Sequence, residues 1–304
     1  VVNPAAWPRT EERIMIILLK SVLGVFAALY GLAFSLDYSR NMGALSKVPW
    51  AALAGTGFVT NFLDTLGIGS FAQQTALFKF FKLVDDRVIP GTLNVGNTLP
   101  TVCQAFIFMT VVEVAPLTLV SMAVAAPVGA ALGAGVVSHW PRRRVELGLG
   151  IALLAIALAM LAGLLNWFPR GGDATGLTGW KLLLAAAVSF GLGAVHTIGV
   201  GFYAPCMALV YALGMSPRVA FPIMMTSTAM LISAASLRFI KEKAHDRKAC
   251  LNLALFGVLG VLLAAYVVVS LPLTALKWVV LAVILYTSLI MIRSSRRPAS
   301  EPVH

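Results

Sequence analysis

The chain has 304 residues, 59% of them apolar and 12% charged, with a mean hydropathy of +0.90 and a net charge of +11. Soluble domains carry about a quarter charged residues, so a protein with a mainly water-facing surface is excluded. Nucleic-acid binding is excluded too, because the lysines and arginines lie in short clusters between apolar runs, the pattern of loops held on the cytoplasmic side of a membrane. The three cysteines, Cys103, Cys206 and Cys250, form neither a disulfide framework nor a CxxC site. No cofactor or metal is expected.

The first apolar run, about Ile14–Leu36, exceeds a signal-peptide core and lacks a small-residue cleavage site. It reads as a retained span. The next run, 48–83, is too long for one crossing: as continuous helix its 36 residues would reach about 54 Å. Its middle holds Gly67-Ile68-Gly69, which favours a break. Three runs of spanning length follow, 91–112, 115–137 and 145–167. A second overlong run, 181–213, is broken at Gly199-Val200-Gly201, and three more spans follow it, 219–240, 249–270 and 277–292.

Loop charge fixes the topology. The clusters Arg142, Arg143, Arg144, then Arg238, Lys241, Lys243, Arg247, Lys248, then Arg293, Arg296, Arg297 belong inside. Both ends of 181–213 then fall outside, so this run is a hairpin that enters and leaves on one face. The same reasoning puts 113–115 outside and 84–90 inside, where Lys79, Lys82 and Arg87 agree. It makes 48–83 a hairpin from the other face, with residues 37–47 cytoplasmic and the N-terminus external.

The expected fold is an all-α integral membrane protein of the inverted-repeat transporter kind. Each of two units is a re-entrant broken-helix hairpin plus three spanning helices, with one extra N-terminal span. Residues 1–47 hold that span and a cytoplasmic loop, 48–167 the first repeat, 168–180 an external loop, 181–292 the second, inverted repeat, and 293–304 a basic cytoplasmic tail. A shift of 132 residues pairs Thr65 with Thr197, Gly67 with Gly199, Gly69 with Gly201, Phe71 with Tyr203, Ala72 with Ala204, Ala76 with Ala208 and Pro90 with Pro222. The expected location is the cell inner (cytoplasmic) membrane, with the lipid bilayer as surroundings.

Inverted repeats bring broken helices together near the midplane. There a half-helix N-terminus offers unpaired N–H groups and a positive dipole end to an anion. The second half-helices begin near Ser70 and Phe202. Polar residues gather at the breaks and on the following spans: Thr65, Ser70, Gln73, Gln74, Thr197 and Tyr203, then a one-face stripe of Asn94, Asn97, Thr98, Thr101 and Gln104, then Thr226, Ser227 and Thr228. With Gly67, Gly69, Gly199 and Gly201, all of these except Gln104 form the expected substrate-binding set. The bland alternatives are tight helix packing for the glycines and interhelical hydrogen bonds for the polar residues. Asp64 and His196, at equivalent repeat positions, are the deep ionisable residues and candidates for proton coupling. Their alternatives are a half-helix cap for Asp64 and a satisfied backbone carbonyl for His196.

The stretch TLGIGSFAQQTALFKFFKLVDDRVIPGTLNVGNTLPT (65–101) and its echo TIGVGFYAPCMALVYALGMSPRVAFPIMMTST (197–228) resemble the sulfite exporter TauE/SafE family, the toluene sulfonate uptake permeases. The resemblance spans about residues 50–292. It implies transport, usually outward, of a small sulfur oxyanion or organosulfonate; protons enter as a further expected partner through Asp64 and His196, not through the resemblance. The sequence departs from the family at Ser70 and Phe202, where a third glycine is usual, and at Asn94-Val95-Gly96-Asn97, where small hydroxyl residues are usual. Thr226-Ser227-Thr228 keeps that turn. The expected activity is secondary transport by alternating access and not catalysis. A passive anion channel and an intramembrane hydrolase using Ser70 and His196 remain as other readings. There is no Walker A, Gly-x-Ser-Gly or HExxH motif.

Overall fold

The computed structural model describes residues 10–42, 46, 48–137, 142–165, 172–196, 202–270 and 272–296. Among them the chain is all-helical: α1 (Thr10–Arg40), α2 (Trp50–Thr65), α3 (Phe71–Phe80), α4 (Ile89–Val111), α5 (Pro116–Val137), α6 (Arg142–Leu164), α7 (Gly179–His196), α8 (Tyr203–Ala212), α9 (Pro217–Lys241), α10 (Arg247–Ser270) and α11 (Leu273–Arg296). Four helices are long and apolar enough to cross a membrane: α1, α7, α9 and α10. With 23 residues, α4 has the length, about 35 Å at 1.5 Å per residue. Its amides and hydroxyls make it a poor lone span, and it buries most of them between other helices. The outer surface exposes large apolar side chains such as Leu18, Leu132, Leu183 and Leu259. A patch of that extent suits lipid and not water.

The ends of the helices follow local chemistry. Gly67, at φ +93°, terminates α2 with two backbone bonds, Gly67 N–H to the Asp64 carbonyl (2.8 Å) and Ile68 N–H to that of Leu63 (3.2 Å). This is the glycine-ended helix stop in which a left-handed residue lets the chain turn back on the last carbonyls. Gly214 (φ +84°) ends α8 in the same way, through Gly214 N–H to Tyr211 O and Met215 N–H to Val210 O. Asp246 starts α10 by accepting the Ala249 N–H at 2.8 Å, an ordinary N-cap.

Packing joins the helices in matched couples. Helix α2 lies on α10 and α5 on α7; α4 lies on α9 and α6 on α11; α4 also touches α10, and α5 touches α9. At two of these crossings glycine meets backbone. A Cβ on Gly129 of α5 would stand 1.9 Å from the Phe190 carbonyl oxygen of α7, and one on Gly260 of α10 would stand 2.3 Å from that of Phe58 in α2. Phe58 and Phe190 lie 132 positions apart, and Gly129 and Gly260 lie 131 apart. The central α4–α9 couple runs antiparallel: the rings of Phe108 and Phe221 stack at 5.2 Å, and the hydroxyls of Thr98 and Ser236 meet at 2.7 Å.

The connecting segments collect at two ends. At one, Ala115 N–H bonds the Thr175 carbonyl, Ser216 N–H bonds that of Ala174, and Gly172 lies against Gly214. At the other, Gly91 lies against Ala244, Asp246 N–H bonds Thr92, and Lys248 reaches the carbonyls of Ser46 and Val48. Leu83 and Val84, just past α3, pack with Leu53 near the start of α2 and with Ala249. The N-terminal helix α1 lies across this assembly. It is tied to α4 by Tyr30 Oη on the Val95 carbonyl (2.6 Å) and to the start of α10 by Asp37, whose carboxylate takes Arg247 Nε at 2.6 Å.

Candidate functional site

Where the overlong run 48–83 breaks, residues Leu66–Ser70 carry the chain from α2 into α3. The Gly67 stop leaves Asp64 in the last turn of α2, 3% exposed and among apolar helices. A buried carboxylate needs donors, and two separate elements supply them. Gln104 of α4 donates through Nε2 to Asp64 Oδ2 at 2.9 Å and to Thr65 Oγ1 at 2.8 Å. Tyr203, the first residue of α8, donates its hydroxyl to the same oxygen at 3.1 Å. Ser70, at the threshold of α3, stands beside the carboxylate.

The α8 side of this junction is tightly apposed. A Cβ on Gly67 would stand 2.0 Å from Met207 Cε, so only a glycine lets α8 approach the break. On α7, the ring of His196 stands 6.3 Å from that of Phe71 and 6.4 Å from that of Phe202. The starts of α3 and α8 therefore each touch the end of the opposite half-helix.

Beside Asp64 lies a second polar cluster. Asn97 Nδ2 donates to Gln74 Oε1 (2.6 Å), and Gln74 Nε2 donates to Asn97 Oδ1 and to Thr60 Oγ1 (both 2.8 Å). Asn61 Nδ2 adds a bond to Asn97 Oδ1 at 3.0 Å. This reciprocal amide pair fastens α3 to α2 and α4. Thr101 is buried on the same helix. Asn94 bends back onto the Pro90 carbonyl, and Thr98 bonds Ser236 across the α4–α9 seam.

On α9, Thr226, Ser227 and Thr228 are all buried. The Ser227 hydroxyl is spent on the Ile223 carbonyl. Thr228 stands beside the Tyr203 hydroxyl, but its own oxygen finds no hydrogen bond of good geometry. Neither do Thr226 Oγ1, Gln73 Oε1, Gln104 Oε1 or Ser233 Oγ. Native interiors rarely leave such atoms unpaired without a functional reason.

The structure thus brings Asp64, Thr65, Gly67, Ser70, Tyr203 and Thr228 to one place, with Gly69 (φ +86°) in the same turn. Gln74 and Asn97 are bonded to each other one step away. Thr197, Gly199 and Gly201 lie outside the described residues. Four participants were absent from the expected binding set. Gln104 belongs to the α4 stripe, Thr60 and Asn61 lie about one turn before Asp64, and nothing in the sequence marks Met207. Among the described residues, no group of three or more His, Cys, Asp or Glu could hold a metal ion.

The family model described as Sulfite exporter TauE/SafE matches residues 161–304, from the end of α6 onward. It bears out the resemblance read in the sequence over that part of the chain and supports a membrane transporter of the exporter type. No curated protein and no solved structure matches the chain.

Proposed function

We propose, from the match of residues 161–304 to the sulfite exporter TauE/SafE family model, that the chain is a secondary transporter of a small sulfur-containing anion, such as sulfite or an organosulfonate. In this reading the binding site is the junction of the α2–α3 and α7–α8 breaks. The observation that carries it is the convergence of Gln104 from α4 and Tyr203 from α8 on one buried carboxylate beside the start of α3. Amide and phenol are both donors, and donors aimed at one point are what an oxyanion needs. Thr65, Gly67, Gly69, Ser70 and Thr228 complete the described part of the site, with Thr197, Gly199 and Gly201 as the counterpart on the second break.

The two breaks belong, on this reading, to inverted repeats. The matched helix couples and the 132- and 131-residue spacing of the Phe58–Gly260 and Phe190–Gly129 contacts support that relation. So does the gathering of connections at two ends. Leu83 returns to Leu53 at one end, and Gly214 returns to Gly172 at the other, as expected of hairpins entering from opposite faces. Alternating access then amounts to each hairpin in turn uncovering the junction. Asp64 and His196 are the proposed proton carriers, and the cell inner membrane is the proposed location. The family match favours transport over the hydrolase reading.

Purified protein in liposomes, tested for flux of labelled sulfite, thiosulfate and methanesulfonate, decides the matter. Saturable flux of at least one, absent from protein-free vesicles, is expected. No flux of any of them sinks the proposal, and non-saturating conductive flux would favour a channel.

A further inference from the structure

We infer that the Asp64 carboxylate is a tethered occupant of the anion site, so that a substrate anion enters only when a proton neutralises it. This rests on the reading of the junction as the substrate site and adds how that site is regulated.

The argument starts from donor count. Gln104 Nε2 and Tyr203 Oη are the strong donors of the junction, and both are turned to one side chain, beside which Ser70 also stands. An anion needing these groups competes with a carboxylate already bonded to them. Two negative charges within about 4 Å of each other in a low-dielectric interior repel strongly, so anion and ionised Asp64 exclude one another. Among the described residues, helices α2, α3, α4, α8 and the Leu253–Ala265 stretch of α10 carry no basic residue other than Lys79, which lies in the last turn of α3, away from the break. The titratable groups around Asp64 are the Tyr203 phenol, with the Cys206 thiol next to it on α8, and His196 across the ring of Phe71.

Protonation resolves the competition. A neutral carboxyl keeps one acceptor oxygen and gains an O–H donor. Gln104 and Tyr203 are released toward the anion, and the new O–H can itself donate to it. Thr228 Oγ1, buried beside Tyr203 and unpartnered, is a further donor for a ligand at this point. Anion and proton thus occupy the junction together and cross together, whereas deprotonation returns the carboxylate to its donors and expels the anion.

Two measurements test this. In the first, thiosulfate, which stays fully ionised across about pH 5 to 8, is titrated into the wild-type protein in weakly buffered detergent. Uptake of one proton per anion bound is expected, with apparent affinity falling about tenfold per pH unit on the alkaline side of the titration. Thiosulfate binding with no proton uptake overturns the inference while leaving the transporter reading intact. In the second, Asp64→Asn in liposomes is expected to lose all accumulation driven by a pH gradient, and whatever thiosulfate counterflow it retains is expected not to vary with pH. Retained gradient-driven accumulation overturns the inference. If Asp64→Asn does not fold, the wild-type proton count decides alone. If the wild type neither binds nor moves thiosulfate, sulfite or methanesulfonate, the transporter reading fails, and this inference fails with it.

Discussion

His196 stands against Phe71 where, across the junction, Asp64 stands against Tyr203. A shift of 132 positions turns Asp64 into His196 and Phe71 into Tyr203, so the two contacts occupy equivalent places in the halves. One is a hydrogen bond from a phenol to a carboxylate; the other is a tilted pair of rings. The geometry is shared and the chemistry is not, so the two halves contribute unlike groups to one site.

The polar member of this pair can be weighed by mutation. Tyr203→Phe keeps the ring and removes the hydroxyl that Asp64 accepts. A hydrogen bond to a charged group is worth about 1.5–3 kcal/mol, and a destabilisation in that range is expected in denaturant unfolding of the detergent-solubilised protein. Because both residues share the bond, Tyr203→Phe combined with Asp64→Asn should fall short of the sum of the single changes. Simple additivity would show that the bond contributes nothing.

Gly67 is constrained twice, by its backbone angle of φ +93° and by Met207 Cε 2.0 Å from where a Cβ would sit. Gly67→Ala is expected to lose flux and about 1–3 kcal/mol of stability from backbone strain alone. Pairing it with Met207→Ala should restore part of the stability by removing the clash, leaving the strain. Gly55, with open space around it, is the control: Gly55→Ala should be neutral or stabilising by up to about 1 kcal/mol. Equal losses at both glycines would contradict this account.

The Gln74–Asn97 amide pair predicts a structural loss at a distance from the proposed anion site. Gln74→Leu leaves Asn97 and Thr60 without the bonds at 2.6–2.8 Å. Stranding such groups costs about 1–3 kcal/mol. Heat or denaturant should release α3 first, seen as earlier cysteine labelling of a reporter at Thr75. Unchanged labelling would show that α3 is held by other contacts.

The cluster around Asp37, where α1 meets the start of α10, predicts a pH response. His245 Nε2 lies 3.2 Å from Asp37 Oδ2, with Arg247 on the same carboxylate. Burial pushes the imidazole below its ordinary value of 6.5, outweighing the attraction of Asp37, and Arg247 pushes it the same way. A histidine lowered in the fold takes up its proton more readily when unfolded. Its contribution is therefore complete above about pH 6.5 and is lost as pH falls through the lower folded value. The unfolding midpoint of the wild type should drop on acidification below pH 6.5, and His245→Gln should flatten that drop. An identical slope in the variant would place the response elsewhere.

Several features were legible in the sequence because one residue type fixes them. Gly67 had to end α2, since the chain leaves that helix through a left-handed residue. The membrane setting followed from composition, which no tertiary contact can undo. The amides were legible only as a class. Asn97 and Gln104 lie on one stripe of α4, yet one is bonded to Gln74 and the other to Asp64, because which helix faces each turn is decided by packing. Met207 carries no local signal, since its role comes from the glycine it covers. Asp64 was visible as an anomaly in an apolar run, whereas its donors, on α4 and α8, could be found only in three dimensions.

The glycine-to-carbonyl contacts of Gly129 with Phe190 and Gly260 with Phe58 also bear on movement. At these crossings main chain rests on main chain, with no side chain between to change rotamer and absorb a displacement. Helices α5 and α7, and likewise α2 and α10, must therefore travel as fixed pairs. On the proposed repeat reading, each broken helix is thus yoked through its first half to a helix of the other unit. Any rocking between faces has to be taken up by the side-chain-filled seam of α4 and α9, where Thr98 meets Ser236 and Phe108 meets Phe221.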